Sequence, residues 1–347
     1  MKILIIQQKM IGDVLTSSIL FEALRLKYPK AQLDYLINEH TFPVVENNPF
    51  IDNFIFFTKE VESSKKALYK LTKVVKHKKY DVVVDVYSKL SSNLISFLSG
   101  AKTRISYHKY YTTFFYHHNI NRIKDNNSKA GLAIVNRMAL LAPLDIETTF
   151  IKPKIYLTEE ETANSKHFLK NHRIDFNSPL FMISVLGSGV KKTYPFSYMA
   201  QVIDTVVAET SGQILFNYIP KQEAEAKSIF NLCKPKTQKN IFFHVFGKSL
   251  RAFLAITQHC DAVIGNEGGA INMAKALDVK TFAIFSPWID KASWSLFEND
   301  NNVSVHLKDF KPELYTKAEK QYKNEAVALY ETFKPEFFTD KLKAFLK

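Results

Sequence analysis

The sequence predicts an α/β protein of two Rossmann-like domains, each a doubly wound parallel sheet, facing a central cleft and followed by a helical C-terminal tail. Three observations carry this expectation. Short β-rich runs alternate with helical patterns, as crossover connections in a parallel sheet require. The alternation starts afresh near the middle of the chain. The length, 347 residues, suits two domains at ~100–200 residues each.

Lys2–Ile6 reads as the first strand, and a helix follows from Val14 to Tyr28, with Leu15, Ile19, Ala23 and Leu26 on one face. Pro29 stops that helix. Further strands are predicted at Leu33–Ile37, Phe54–Phe57, Val82–Val86 and Thr103–Ser106, with helices over Ser64–Lys78, Leu90–Leu98 and Ala130–Leu141. The second half repeats the scheme, with strands at Leu180–Val185, Gln213–Asn217, Ile241–His244, Ala262–Ile264 and Thr281–Phe285. Helices at Ser197–Glu209, Lys221–Leu232, Leu250–Thr257 and Ala270–Leu277 fill the gaps. Thr158 followed by Glu161 is a capping box, so a helix begins there. The expected organisation is therefore a first domain over 1–155, a second over 156–318, and tail helices over 319–347 that pack back on the first domain.

Composition is that of a globular protein, with 46% hydrophobic and 23% charged residues. The two cysteines, Cys233 and Cys260, form neither a disulfide framework nor a zinc pattern and fit a reducing compartment. The opening MKILIIQQKM is too short in apolar residues for a signal peptide or a span. A cytoplasmic protein is expected, compatible with peripheral attachment to the cytoplasmic face of the inner membrane. The net charge of +13 comes mostly from lysine, with only six arginines. Lysine is a point charge, whereas the arginine fork suits base edges. Diffuse attraction to something anionic follows, and no nucleic-acid module is legible.

Three segments could carry chemistry. Gly12-Asp13 follows the first strand. Asp13 stands where a helix N-cap belongs, or is a carboxylate able to act as a general base, with Gly12 allowing close backbone approach. Gly187-Ser188-Gly189-Val190-Lys191-Lys192-Thr193-Tyr194-Pro195 follows the first strand of the second half. It lacks the spacing of a dinucleotide fingerprint or a P-loop, and reads as a phosphate site or a turn with solvated lysines. Gly265-Asn266-Glu267-Gly268-Gly269-Ala270-Ile271-Asn272 joins a strand to a helix. Backbone amides at Gly268–Ala270 and a donor on Asn272 would suit a phosphate, and a tight structural turn is the other reading. Glu267 could order the loop or bind a sugar hydroxyl.

Together these segments resemble glycosyltransferase family 9, typified by the ADP-heptose:lipopolysaccharide heptosyltransferases. The family's opening appears as Ile3–Leu15. Its "yD-x-x-x-D" strand and following helix appear as Tyr80–Asn93, with Asp81 and Asp85. Its "K-x-W-P" segment appears as Lys192-Thr193-Tyr194-Pro195, its nucleotide-contacting acid as Glu223, and its "G-x-x-x-L" turn as Gly247–Arg251. Its "gnDSG-x-x-H-x-A-A-L" signature appears as Gly265–Leu277, followed by Phe285-Ser286-Pro287. Here Glu267-Gly268-Gly269 replaces Asp-Ser-Gly, and Asn272 replaces histidine.

The resemblance implies a GT-B fold and an inverting, metal-independent glycosyltransferase without cofactor. Its donor would be a nucleotide-sugar, ADP-heptose foremost, and its acceptor an anionic glycolipid such as a lipopolysaccharide core. It implies Asp13 as the base, with Asp85 the next carboxylate to consider. Gly12, Ser188, Lys192, Glu223, Glu267, Gly268, Gly269 and Asn272 would hold the nucleotide-sugar. Lys89, Tyr107 and Lys109 would lie on the acceptor side. No Asp-x-Asp occurs and no His/Cys/Asp group has ligand spacing, so no metal is expected. The competing readings are a nucleotide-sugar epimerase and a family member that binds nucleotide or glycolipid without transfer. Lys65–Lys79 reads as a basic amphipathic helix, either a solvated outer face or a contact for an anionic membrane. Tyr107–His118 is dense in aromatics that could stack on sugar or close a hydrophobic cluster.

Overall fold

The computed structural model describes residues 1–124, 128–147, 150–317 and 319–347, without the side chains of 319 and 320. The chain divides into two compact units, Met1–Tyr156 and Leu157–Lys347.

The first unit holds β1 (Lys2–Ile6), β2 (Gln32–Asn38), β3 (Asn53–Phe57), β4 (Val82–Asp85), β5 (Thr103–Tyr107) and β6 (His118–Ile120). They form one parallel sheet in the order β3-β2-β1-β4-β5-β6. β1 is the hub: Ile3 stands beside Leu33 on one side and Val82 on the other. Its four residues Ile3–Ile6 are fully buried, as expected for a strand covered on both faces. The helix Lys65–His77 turns Leu68, Leu71 and Val75 onto a core with Leu4, Ile6, Val83 and Ile95. Its lysines Lys65, Lys66, Lys70, Lys73 and Lys76 stay exposed, the amphipathic solution for a covering helix. Ser64 caps it by accepting from the Ala67 amide.

The helix expected over Val14–Tyr28 is two helices, Ile11–Ser17 and Ile19–Lys27. The break has a chemical cause. Thr16, Ser17 and Ser18 turn their hydroxyls back to carbonyls of the preceding turn, at 2.8, 2.7 and 2.7 Å, and such back-bonding competes with the helical ladder.

The second unit holds β7 (Leu180–Ser184), β8 (Gln213–Phe216), β9 (Ala262–Asn266), β10 (Lys280–Ile284) and β11 (Asn302–Val305). Its parallel sheet runs β11-β10-β9-β7-β8. The predicted strand at Ile241–His244 is only a single parallel bridge, Ile214 to Ile241. With that bridge counted, the order mirrors the first sheet. The capping box forms as expected, with Thr158 and Glu161 exchanging hydrogen bonds at the start of the helix Glu159–Asn171. Residues 319–347, expected to pack on the first domain, are instead built into the second unit. Tyr330, Phe333, Phe338 and Leu342 lie in its core cluster, and the Tyr194 hydroxyl donates to the Phe333 carbonyl at 2.5 Å.

Candidate functional site

A parallel sheet wound both ways from a central pair opens a crevice beyond the carboxyl ends of that pair, because adjacent connections leave on opposite faces. The strand orders place such switch points between β1 and β4, and between β7 and β9. Most of the candidate residues lie in the loops and helix starts that follow these strands.

In the first unit, the helix after β1 begins at Ile11, with Met10 at the N-cap and no side-chain cap. Asp13 is thus not the cap. It sits in the first turn and pairs with Arg137, whose Nη2 donates to Asp13 Oδ1 at 2.6 Å. Arg137 reaches in from the helix Leu132–Ala139 and also donates to Ser17 Oγ at 2.9 Å and to the Ala133 carbonyl at 2.8 Å. The arginine side chain is 8% exposed and the aspartate 29%. A partly accessible carboxylate is therefore held in one orientation by a buried cation. Gly12 has open space where a Cβ would stand.

Asp85, at the end of β4, is fully buried. It accepts from the Ser88 amide at 2.8 Å and from the Tyr116 hydroxyl at 2.6 Å. Burial raises its pKa, opposed by those hydrogen bonds and more weakly by Lys109. Enclosed in this way it orders the loop after β4 and has no access to a substrate. Lys89 caps the next helix through its backbone and is exposed. Lys109 Nζ donates to the Ser88 carbonyl, and burial followed by the nearby Lys89 and Arg122 charges lowers its pKa. Tyr107 lies inside the unit, 1% exposed, with the Arg122 guanidinium 3.7 Å from its ring centre. It is packing, and its ring offers no face to a sugar. Gln8 Nε2, Asn38 Oδ1 and Ser88 Oγ, at or just beyond the ends of β1, β2 and β4, are buried without hydrogen-bond partners among the described residues. Such orphaned groups are uncommon outside functional sites.

In the second unit, the loop after β7 closes on itself. The Gly187 amide donates to Thr193 Oγ1 at 3.1 Å, and Thr193 Oγ1 donates to the Gly189 carbonyl at 3.1 Å. A Cβ on Gly187 would stand 2.1 Å from the Lys192 carbonyl oxygen, so only glycine fits. Asn266, fully buried at the end of β9, joins the two loops of the switch point. Its Oδ1 accepts from the Tyr194 amide at 2.7 Å and its Nδ2 donates to the Ser184 carbonyl at 2.9 Å. Ser286 Oγ and Trp288 Nε1 both donate to the Lys191 carbonyl, at 2.6 and 3.1 Å. The turn carrying Lys192 is thereby fixed from three sides.

Lys192 Nζ lies 3.4 Å from Glu267 Oε1 and 5.6 Å from the Trp288 ring centre. The first distance is an ion pair rather than a good hydrogen bond, and Glu267 Oε1 has no hydrogen-bond partner among the described residues. Burial raises the Glu267 pKa, and Lys192 opposes that rise. The helix Gly269–Ala276 starts at Gly268, whose φ of +146° favours glycine, and this N-cap residue has no side chain to cap the first amides. Such amides, with the helix dipole behind them, can hold an anion. Asn272 is partly buried, and its own amide bonds the Gly268 carbonyl at 3.2 Å. Ser188 is exposed on the glycine loop. Glu223 is exposed at the start of its helix, while its neighbour Gln222 donates to the Gly187 carbonyl at 3.1 Å.

The raised Glu267 pKa has a consequence for stability. A folded-state pKa above the unfolded one means the ionised group costs stability at neutral pH and costs nothing once pH falls below the ordinary glutamate range. Glu267→Gln is expected to raise the melting temperature near pH ~7.5 and to give no gain near pH ~4. A variant less stable than the parent at neutral pH would show that the carboxylate's charge is well compensated.

Arg137, Asn266, Gln222 and Trp288 were not singled out in the sequence. Trp288 directly follows the Phe285-Ser286-Pro287 landmark, and Asn266 lies inside a quoted motif, so both had a local signal. Arg137 had none, because its partner is 124 residues away. The Gly247–Arg251 turn borders a cavity of about 470 Å³, lined in part by Phe168, Phe246, Lys248 and Ala252. At its rim Glu161 pairs with Arg251.

Comparison with known proteins follows the same lines. The family model "Glycosyltransferase family 9 (heptosyltransferase)" matches residues 68–323. A putative glycosyltransferase of Haemophilus influenzae is 21% identical over 310 residues, covering 88% of each chain. The crystal structure of a glycosyl transferase family 9 protein from Veillonella parvula superposes with a TM-score of 0.76 at 18% identity, over 95% of this chain and 97% of that one. The Escherichia coli ADP-heptose lipopolysaccharide heptosyltransferase II gives a TM-score of 0.69 at 17% identity, over 96% and 99%.

Proposed function

Because the chain belongs to glycosyltransferase family 9, we propose that this GT-B glycosyltransferase moves heptose from ADP-heptose onto an anionic glycolipid acceptor, a lipopolysaccharide core or related surface glycan, with inversion and without a metal. The observation that carries the donor half is the cradle at the β7/β9 switch point: Lys192 on a rigid turn beside the uncapped start of Gly269–Ala276. A departing nucleoside diphosphate gains negative charge as the glycosidic bond breaks, and a lysine with preorganised amides stabilises that charge. Gly268 and Gly269 are assigned to supply amides, and Ser188 and Asn272 are assigned as further donors. Glu223 and the cavity by Gly247–Arg251 are assigned to the nucleoside. The heptose donor is supported by the related Escherichia coli protein's description as an ADP-heptose heptosyltransferase.

Asp13 is assigned as the base. It takes the proton of the acceptor hydroxyl as that oxygen attacks the anomeric carbon, which inverts the configuration. Arg137 holds the carboxylate in place. Lys89 and Lys109 are assigned to an acidic acceptor, whereas Tyr107 supports the loop from beneath. Among the described residues no three His, Cys, Asp or Glu side chains gather as a metal site, and the diphosphate's charge is assigned to Lys192 and the amides. No described helix is long and apolar enough to cross a membrane. For a lipid-borne acceptor we assign peripheral attachment to an anionic membrane, which the +13 charge favours.

Thermal shift in EDTA with ADP, UDP, GDP and CDP tests the donor site. ADP at ~100 times its dissociation constant is expected to stabilise the protein by ~2.7 kcal/mol. No shift with any of the four, or a shift only after Mg²⁺ is added, would contradict the assignment.

A further inference from the structure

Residues 86–124 contain no aspartate or glutamate, but six Lys/Arg and three histidines. The same stretch carries a group of large, exposed apolar side chains. Leu90 is 82% exposed, Tyr110 92%, Tyr111 73% and Phe114 68%, with Phe97 also open to solvent. These residues are neighbours through contacts beneath them. Phe115 packs between Phe114 and Phe97, with ring centres 4.0 and 5.6 Å away. Lys109, next to Tyr110, is bonded to the Ser88 carbonyl two residues before Leu90. Arg104 lies 5.7 Å from the Phe97 ring and donates to the Phe115 carbonyl at 2.8 Å. The loop is thus braced from below while its rings point outward.

A braced loop that displays tyrosine, phenylalanine and leucine, in a stretch of sequence with cations and no acids, matches one kind of surface. Aromatic side chains settle at the headgroup level of a bilayer, and lysine and arginine beside them meet lipid phosphates. An exposed apolar patch rimmed by polar groups is otherwise uncommon on a monomer. The lysine helix Lys65–His77 offers charge, but its apolar stripe is spent on the core, leaving only Tyr69 and Val74 among its exposed apolar side chains.

We propose that the face formed by Leu90, Phe97, Tyr110, Tyr111 and Phe114, ringed by Lys89, Lys109, Arg104 and Arg122, seats the protein on an anionic phospholipid bilayer. This rests on the reading of the acceptor as lipid-borne only for its purpose; the binding itself needs neither donor nor acceptor. The face belongs to the unit that carries Asp13, so it would bring the base's own unit to the membrane.

The test uses the full chain and vesicles of phosphatidylethanolamine and phosphatidylglycerol, with and without brominated acyl chains. Tryptophan is introduced as Phe114→Trp or Tyr69→Trp, against the constant background of Trp288 and Trp294 in the second unit. Phe114→Trp is expected to be quenched by the brominated lipid and Tyr69→Trp not. The triple variant Tyr110→Ser/Tyr111→Ser/Phe114→Ser should bind vesicles about tenfold more weakly or worse, since interfacial binding scales with buried apolar area. Its thermal shift with ADP should be that of the parent, which keeps failure here separate from failure of the donor site. Vesicles of phosphatidylcholine alone should bind weakly. Quenching at Tyr69→Trp instead of Phe114→Trp, unchanged binding by the triple variant, or a self-associated protein that the triple variant dissolves without any vesicle binding would each overturn the proposal.

Discussion

Asp13→Asn is expected to lower turnover by ~10²–10⁴-fold, the usual worth of a positioned base, while nucleotide affinity stays near that of the parent. The structure makes this variant informative. An aspartate at an N-cap would confuse the result, because asparagine caps about as well. Asp13 is not the cap, since Met10 occupies that position, so a lost turnover cannot be a lost helix start. Asparagine can still accept from Arg137 Nη2, which keeps the geometry but not the charge. A stability loss of ~1–3 kcal/mol is expected from weakening that charge-assisted bond. Near-normal turnover at neutral pH would show that the acceptor is activated elsewhere. Asp85 could not take over, because it is buried and already accepts from the Ser88 amide and the Tyr116 hydroxyl.

Lys192→Ala is expected to have the second-largest effect. One charge-assisted contact to a diphosphate is worth ~1.5–3 kcal/mol, or roughly 10–100-fold in donor affinity. A second cost adds to it. Glu267, buried and 3.4 Å from the lysine, would lose the counter-charge beside it and present an uncompensated carboxylate to an anionic ligand. The double variant Lys192→Ala/Glu267→Gln is therefore expected to recover part of the lost affinity. Isothermal titration with ADP separates the cases. Unchanged affinity in the single variant would remove Lys192 from the site. No recovery in the double variant would show that Glu267 lies outside the field of the diphosphate.

Local chemistry decided what could be read from the sequence. The central strands, such as Lys2–Ile6 and Leu180–Ser184, each carry four buried apolar residues in a row and were legible. So was the capping box at Thr158, because both partners lie within one helical turn. The edge strands His118–Ile120 and Asn302–Val305 were not, because they are short and carry His, Asn and Ser. The single helix predicted after the first strand failed at Thr16-Ser17-Ser18, where side-chain hydroxyls reach for backbone carbonyls. In the candidate site, the glycines and Lys192 announced themselves as a motif. Arg137 did not, since only the fold brings it to Asp13. Tyr107 looked like a stacking platform because aromatic density alone does not tell an outward ring from an inward one. The exposed rings lie three to seven residues further on, at Tyr110, Tyr111 and Phe114.

The most direct measurement is transfer itself, made in EDTA with ADP-heptose and a glycolipid acceptor lacking its outer core. ADP release that requires the acceptor, yields a product of inverted anomeric configuration and is lost in Asp13→Asn is the predicted result. A folded protein that binds ADP but releases none from ADP-heptose with acceptor present would contradict it, and would mark the Gly268 and Asn272 replacements as the signature of a protein that binds without transfer.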